Sequence, residues 1–284
     1  MIRHDRSYAH RRLLARFCVY LLLVAGAFLS LLPLIWMARS SLMTSVQIFE
    51  LPPRLIPRPF QWSNYQQALT ILPFGRYFLN SIVITALVVA GTVVTSSLCA
   101  YSFARINWRG RDLVFSLIVA TMMLPYAVTL IPTFVGWSAV GLTDTFGPLV
   151  IPAWFGGGAF YIFLLRQFYR EIPRELDEAA RMDGAAHARI FSTIMFPMTR
   201  TSVVVVGLFA FLNTWNDFLG PLVYLNSANK YTLALGLMQF SGMYKAEWNL
   251  MMAAAMVVVA PAIVIFLVGQ RHFIQGIAMT GIKA

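Results

Sequence analysis

The chain has 284 residues, of which 59% are hydrophobic and 12% charged, with 22 Lys and Arg against 11 Asp and Glu. A soluble domain carries about a quarter charged residues, so the composition excludes a single water-soluble globule and predicts an integral membrane protein. The net charge of +11 does not indicate nucleic-acid binding, because the basic residues cluster at the ends of apolar runs and form no single patch. Cys18 and Cys99 lie inside apolar runs, where each is expected to act as a buried small hydrophobe.

The first apolar run, residues 17–38, follows Arg11 and Arg12 and has the outline of a secretion signal. It is longer than the roughly 7–15 residues of a signal core. No small-x-small cleavage pattern closes it, and Pro33 and Trp36 occupy the positions where cleavage would occur. We therefore interpret this run as an uncleaved first membrane span.

A membrane-spanning helix needs about 20 mostly apolar residues. Six segments satisfy this requirement: residues 17–38, 77–104, 113–136, 147–168, 201–224 and 250–270. The third contains Pro125 and Pro132, which remove backbone donors and predict a kinked or broken helix. The fifth contains Asp217, so its outer end is expected to be polar. The proline-rich stretch 39–76 is expected to run extended along the external surface.

The distribution of Lys and Arg between the segments predicts the orientation. Basic residues are more frequent on the face that carries both termini than on the opposite face, which by the positive-inside rule places both termini in the cytoplasm. The predicted organisation is a cytoplasmic N-terminal segment at 1–16, a six-span domain at 17–270 and a cytoplasmic tail at 271–284. The longest cytoplasmic loop is then about 169–200.

Motifs of soluble enzyme chemistry are missing from the sequence. There is no Gly-x4-Gly-Lys-Ser/Thr loop for phosphates and no His-Glu-x-x-His for a metal, so no catalytic residue, metal or bound cofactor is expected. The predicted spans also lack ionisable residues apart from Asp217, although proton- and sodium-driven transporters commonly carry such residues at the membrane midplane. The energy source is therefore expected to lie in a partner.

The long cytoplasmic loop has the pattern of two short helices. Pro173 precedes carboxylates that favour a helix N-terminus, and Gly184 offers a place for that helix to end. A second helical stretch around Ile190 and Ile194 is expected to end at Pro197. These residues favour an amphipathic connector at the membrane surface over a docking element for another protein, and both interpretations remain open at this point.

The spacing within this loop adds a resemblance. Glu178-Ala-Ala-x3-Gly184-x9-Ile194-x-Phe196-Pro197 resembles the EAA signature of ABC importer permeases, written EAA-x3-G-x9-I-x-L-P, with phenylalanine in place of leucine. Further segments, from about residue 13 to the C-terminus, resemble the carbohydrate branch of maltose and sn-glycerol-3-phosphate type permeases, namely Trp62-Ser-Asn64-Tyr65, Asn80-Ser81, Ala100-Tyr101-Ser-Phe103-Ala104-Arg105, Met123-Leu-Pro125, Ile131-Pro132, Phe163-Leu-Leu-Arg166-Gln-Phe168, Ile172-Pro173-Arg-Glu175, Asn213-Thr-Trp215-Asn216-Asp217-Phe218, Gln270-Arg271-His-Phe273-x2-Gly276 and Thr280-Gly281-Ile-Lys283.

The resemblance implies an all-α membrane subunit with a MetI-like importer core at about 77–270. Such a subunit catalyses no covalent chemistry and moves a sugar or sugar-like solute by alternating access. The implied partners are a second permease subunit, two ABC ATPases that use the ATP, an external solute-binding protein and the lipid of a bacterial inner membrane. A secondary sugar transporter without an ATPase is the alternative, and a membrane-embedded enzyme lacks support because no paired carboxylates or metal ligands accompany the spans.

The resemblance also implies roles for particular residues. The ATPase contact would be made by Glu178, Ala179, Ala180, Asp183, Gly184 and Ala185. The tail, with Arg271, Gly281 and Lys283, would lie near the ATPases. Candidates for the translocation pathway are Thr121, Thr129, Asn213 and Asn216, for which hydrogen bonding between helices is an equally good interpretation.

Overall fold

The computed structural model describes the backbone of residues 3–241 and 247–280 and the side chains of 13–241 and 247–270. Within these residues the chain is helical, without a β-strand, which confirms the predicted all-α class. The helices are α1 Arg3–Ser41, α2 Ser45–Ile48, α3 Ser63–Ile71, α4 Phe74–Arg105, α5 Arg111–Thr121, α6 Tyr126–Ala139, α7 Gly147–Val150, α8 Ala159–Glu171, α9 Glu175–Met182, α10 His187–Ile190, α11 Phe196–Met198, α12 Arg200–Trp215, α13 Leu219–Tyr224, α14 Leu233–Leu237 and α15 Trp248–Thr280.

Helices of membrane-spanning length account for most of the predicted spans. Four qualify singly by length and apolarity: Leu13–Ser41, Phe74–Arg105, Gly147–Glu171 and Trp248–Gln270. Two bent pairs raise the number to six if each pair is one span: α5 with α6, at 101°, and His187–Met198 with α12, at 79°. Each of the six predicted segments therefore overlaps a candidate span, and two of these candidate spans are bent.

Prolines and a carboxylate lie at the interruptions of the third and fifth predicted segments. Pro125 immediately precedes α6 and lies between α5 and α6, as the sequence predicts, whereas Pro132 lies inside α6 without ending it. The fifth predicted segment, 201–224, is wrong in its extent because α12 ends at Trp215 and α13 begins at Leu219. There the Asp217 carboxylate accepts a hydrogen bond from the Gly220 N–H at 3.1 Å, which satisfies a free donor in the first turn of α13.

The described chain falls into two compact units. One comprises Met1–Leu69 and Phe240–Val257, and the other Thr70–Gln239 and Val258–Ala284. In the first unit, Leu13–Ser41 of α1 presents apolar side chains on all sides, with none of its most apolar window buried. Such a helix requires lipid or protein partners around it.

The stretch that the sequence predicts to be extended instead contains α2 and α3. Helix α2 begins with a local capping box between Thr44 and Gln47, and α3 is fixed by side-chain bonds to the backbone. Asn64 Nδ2 donates to the carbonyls of Ser41 at 2.9 Å and Met43 at 2.8 Å, and Asn249 Nδ2 donates to Asn64 Oδ1 at 3.1 Å. Because Asn64 is buried, these bonds hold the first turn of α3 against the end of α1.

The second unit is organised around α4, which packs against α8 and α12. Close approach is possible because small residues line α4: a Cβ built on Gly91 would lie 2.7 Å from Trp154 Nε1. Thr95 Oγ1 donates to the Gly91 carbonyl at 2.7 Å and also to the Ala153 carbonyl at 2.9 Å. The hydroxyl thus hydrogen-bonds to a carbonyl of its own helix and also joins α4 to the segment that contains Ala153.

One apolar core lies at the end of α4 nearest to α9. We call it the α4 core; its buried members come from α4, α8, the stretch 190–195 and α12, and are Ala100, Tyr101, Phe103, Ala104, Ile162, Leu165, Tyr169, Ile190, Met195, Val203 and Val206. The Tyr101 ring packs edge-on against Tyr169 with centroids 6.2 Å apart. This core connects the loop between α8 and α12 to three of the long helices.

Candidate functional site

Helix α9 is the element on which the EAA-like residues lie. It begins directly after Pro173 and Arg174 and has three carboxylates in its first turn, where they interact favourably with the helix dipole. It ends at Met182, and the predicted terminating residue Gly184 follows its C-cap with a φ of +80°. The Gly184 N–H donates to the Arg181 carbonyl and the Ala185 N–H to the Ala180 carbonyl, both at 2.9 Å, which is the Schellman arrangement that ends a helix.

The predicted docking residues divide into two groups by exposure. Glu178, Ala179, Asp183 and Gly184 are exposed. Ala180 and Ala185 are half-buried and pack on the α4 core. These two alanines hold α9 against the protein, and the other four form its outer surface. The ATPase contact stays a prediction for all of them.

Met182 belongs to the same outer surface and was not among the predicted contact residues. Its side chain is 89% exposed. The signal in the sequence was its position between Ala179 and Gly184 on a short amphipathic helix. We call the exposed group Glu178, Ala179, Met182, Asp183 and Gly184 the α9 outer face.

A buried ion pair fixes the start of α9 to the end of α4. Arg105 Nη1 lies 3.3 Å from Asp177 Oδ2, and the two side chains are 2% and 8% exposed. Arg105 Nη2 also donates to the carbonyls of Tyr169 and Ile172, so one guanidinium joins α4, the last turn of α8 and the first turn of α9. Arginine suits this role because its planar fork donates in several fixed directions.

Sequence reasoning placed Asp177 among the helix-start carboxylates and Arg105 in a resembling segment, but it did not pair them. They are 72 positions apart, and no local pattern joins two such positions. The geometry places the pair directly beneath the α9 outer face. Helix α9 is therefore joined to α4 by a charged contact as well as by apolar packing.

The second half of the loop packs onto the same core. Instead of a uniform α-helix, α10 leads into a π-helical turn, Phe191–Met195, and then into α11. The predicted end at Pro197 is one residue early, because Pro197 occupies the first turn of α11, which ends at Met198. The Tyr101 hydroxyl lies 3.4 Å from His187 Nδ1, and the Tyr101 ring lies 5.3 Å from the Phe191 ring.

A cavity of about 650 Å³ lies in the second unit among α4, α6, the segment 147–158, α12 and α13. This size is within the range of small-molecule sites. Its wall combines hydroxyl and amide groups with aromatic rings: Ser81, Thr85, Thr133, Asn213 and Thr214 among the former, and Tyr126, Trp137, Tyr161 and Tyr224 among the latter. Rings that offer apolar faces beside hydroxyl and amide groups are suited to a solute that is polar at its edges and apolar on its faces.

The sequence-predicted pathway residues are placed differently from one another. Asn213 lines the cavity. Thr121, Thr129 and Asn216 do not belong to its wall; each donates to a carbonyl of its own helix, at 2.6 Å, 3.0 Å and 2.8 Å respectively. Their part in a pathway stays a prediction. Among the tail residues, the side chain of Arg271 and the whole of Gly281 and Lys283 lie outside the described residues.

A hydrogen-bonded cluster around Asp144, which we call the Asp144 cluster, joins two loops near the cavity. The Asp144 carboxylate accepts hydrogen bonds from the Asn226 and Ser227 N–H groups, both at 2.9 Å, and from the Ser227 hydroxyl at 2.5 Å. Lys230 Nζ lies 2.9 Å from the same carboxylate. These donors stabilise the ionised form, led by the Ser227 hydroxyl, and hold the pKa of Asp144 well below its ordinary value.

Comparison with known protein families identifies the family of this chain. Residues 92–279 match the family described as binding-protein-dependent transport system inner membrane component. The chain belongs to this family. The MetI-like permease core that the resemblance predicted is thereby confirmed.

Relatives match over nearly the whole chain. The probable ABC transporter permease protein YurM of Bacillus subtilis strain 168 is 32% identical over 93% of this chain and 86% of its own length. The sn-glycerol-3-phosphate transport system permease protein UgpE of Yersinia pestis is 33% identical over 94% and 97%. The diacetylchitobiose uptake system permease protein NgcG of Streptomyces coelicolor is 30% identical over 88% and 83%.

The fold also matches a solved structure, a bacterial ABC transporter involved in the import of the acidic polysaccharide alginate. The TM-score is 0.81, with 23% identity over 92% of this chain and 96% of that one. This likeness shows that the two chains share a fold.

Proposed function

We propose that this chain is the permease subunit of an ATP-driven, binding-protein-dependent importer for a sugar or sugar-like solute. The family and the named relatives support the transport role, since two relatives carry the names of sn-glycerol-3-phosphate and diacetylchitobiose systems. The observation that carries the coupling part of the proposal is the exposed α9 outer face, held from beneath by the buried pair of Arg105 and Asp177.

The proposed cycle is alternating access. An ATPase that binds the α9 outer face differently in its ATP-bound and resting states would favour one arrangement of the spans over the other. The displacement of α9 would pass through Arg105 into α4 and through the α4 core into α8 and α12. Because α4 and α12 also line the cavity, the same movement would change access to the solute.

The remaining partners follow from surfaces of this chain. The α1 helix, apolar on all sides along Leu13–Ser41, is suited to lipid and a companion permease. The basic residues near α9, such as Arg170, Arg174 and Arg181, support a cytoplasmic position for the loop and for both termini. The external binding protein would bind on the side opposite to α9, where the Asp144 cluster joins two loops. ATP would be bound by the ATPases, with no cofactor or metal held by this chain.

Two substitutions on α9 test the coupling. Glu178→Lys reverses a charge on the α9 outer face, and Gly184→Pro removes the N–H that donates to Arg181 and forbids the φ of +80°. Both variants are expected to insert into the membrane but to lose copurification with the ATPases and ATP-dependent uptake in proteoliposomes. Glu171→Lys, an equal charge change at an exposed position outside α9, is the matched control.

The outcomes are distinct. Normal uptake by both α9 variants would refute the coupling role of α9. Uptake that continues when the partner ATPase cannot hydrolyse ATP would instead favour a secondary transporter and refute the ATP-driven mechanism. Loss of uptake in the Glu171→Lys control as well would show that any added positive charge near the loop disturbs the protein, so the α9 outer face would have no special role.

A further inference from the structure

The charges around the cavity are one-sided. Its wall, all of it within the described residues, contains one carboxylate, Asp217, and no lysine, arginine or histidine. Asp217 is half-buried and uses Oδ1 to accept the hydrogen bond from the Gly220 N–H. Its remaining carboxylate capacity is available to a solute, because a carboxylate offers about four lone-pair sites.

Three cations of the second unit are held by groups outside the cavity wall. Lys230 is paired with Asp144, and Arg105 is buried against Asp177. Arg166 lies over the Phe115 ring at 3.8 Å and 3.7 Å from Asp112. None of these groups belongs to the cavity wall.

An anionic solute would be poorly accommodated by such a wall. Phosphate and carboxylate groups are recognised in proteins by charge-assisted bonds from arginine or lysine, and removing an unpaired charge from water is costly. Gly158 leads into α8 at the cavity wall, but a helix N-terminus supplies only about half an elementary charge. An ionised Asp217, with its full negative charge, would repel the anionic solute.

A neutral polyhydroxylated solute matches the same wall. Its hydroxyls are donors, for which Asp217 and the Asn213 amide oxygen are acceptors, and the threonine hydroxyls act in both directions. Its apolar ring faces suit the rings of Tyr126 and Tyr161. Every type of group in the wall then has a counterpart in the solute, and the solute brings no second negative charge beside Asp217.

We propose that the solute carried by this chain is a neutral sugar, without phosphate or carboxylate groups, and that Asp217 accepts hydrogen bonds from its hydroxyls. The proposal rests on the proposed function, which makes the cavity part of the pathway. It adds a charge class and a specificity residue, neither of which follows from membership of the family.

The test uses the complete importer in cells that carry it and in cells from which this chain is deleted. Both are given a mixture of maltose, N,N′-diacetylchitobiose, sn-glycerol-3-phosphate and oligogalacturonate together with a plant-cell-wall hydrolysate, and the solute whose uptake requires this chain is identified by mass spectrometry. A neutral sugar is expected. A phosphorylated or carboxylated solute would overturn the proposal.

A variant gives a second, independent reading on whichever solute is found. Asp217→Asn keeps the Oδ1 acceptor for Gly220 but removes the negative charge. For a neutral solute the KM for uptake should rise about tenfold, as expected for a charge-assisted bond replaced by a neutral one. For an anionic solute it should fall, because a repulsion is removed. A falling or unchanged KM contradicts the role given to Asp217.

Two controls separate this proposal from the coupling proposal. Glu171→Gln neutralises an exposed carboxylate outside the cavity wall and should leave KM unchanged. An ATPase-defective partner tests the energy source alone. If uptake persists without ATP hydrolysis, the ATP-driven function fails, while the charge of the transported solute still decides the present inference.

Discussion

Replacement of Arg105 by alanine is expected to detach α9 from the spans. The guanidinium makes one buried ion pair with Asp177 at 3.3 Å and donates to the carbonyls of Tyr169 and Ile172. Its removal leaves a buried carboxylate and two carbonyls without this donor. Breaking a buried pair from one side costs about 3–5 kcal/mol, which corresponds to a change of roughly 10²- to 10³·⁵-fold in the folding equilibrium.

The assay is a double-mutant cycle. The free energy of unfolding is measured by denaturant titration in lipid micelles for the wild type, Arg105→Ala, Asp177→Ala and the double variant. We expect a coupling energy of about 2 kcal/mol between the two positions, within the range found for residues in direct contact. The double variant should recover part of the loss, because it leaves no unpaired buried charge, although the carbonyls of Tyr169 and Ile172 still lack their donor.

Transport gives a second measure of the same contact. Arg105→Ala should lose solute uptake while the ATPases retain basal hydrolysis, since the ATPase site itself is untouched. The control Arg109→Ala changes an exposed arginine four positions away. Its free energy of unfolding should stay within about 0.5 kcal/mol of the wild type. If Arg105→Ala is also within about 1 kcal/mol, or if the two single changes are additive, the pair does not anchor α9 and the reasoning is refuted.

Three further changes test local features. Gly184→Ala should destabilise the end of α9 by about 1–2 kcal/mol. The cause is the φ of +80° and not a clash, because no atom lies within 4 Å of the added Cβ. Gly184→Asn tolerates that φ and should cost less, when both variants are compared by solute uptake and by the free energy of unfolding. Gly91→Ala should cost about 1–3 kcal/mol by overpacking, since its Cβ would lie 2.7–2.9 Å from Trp154 atoms, whereas Gly75→Ala in the same helix meets nothing within 4 Å and should be tolerated. Asp144→Asn should remove a stabilisation that exists because the pKa of Asp144 is lowered in the folded state. The difference in free energy of unfolding between the variant and the wild type should be full above the ordinary aspartate pKa of about 4 and should shrink as the pH falls below it. An equal difference at pH 7 and pH 3 would contradict this assignment.

The sequence determined the features that depend on local chemistry. Apolar length and charge placement predicted the spans, because a helix in lipid must satisfy its own backbone bonds along about 20 residues. Pro125 predicted the break before α6, and Gly184 predicted the end of α9 because its conformation has a local preference. The spacing of the EAA-like residues led to the family, which the match over residues 92–279 confirmed.

Other features depended on hydrogen bonds that the hydropathy pattern does not show. The end of α12 at Trp215 depends on a carboxylate bond to Gly220 that competes with continuing the helix, and hydropathy does not register such a bond. Helix α3, within the stretch 39–76, is fixed by Asn64, which reaches backbone carbonyls more than 20 positions away. A pattern of apolar residues contains no information about either bond.

The loop at 169–200 shows both contributions on one helix. The sequence alone determined which residues α9 contains and where it stops. Only the tertiary structure decided that Ala180 and Ala185 face inward, that Met182 belongs to the outer face, and that Asp177 pairs with Arg105. The physical reason is that burial and ion pairing are properties of two surfaces in contact, whereas capping and helix ends are properties of consecutive residues.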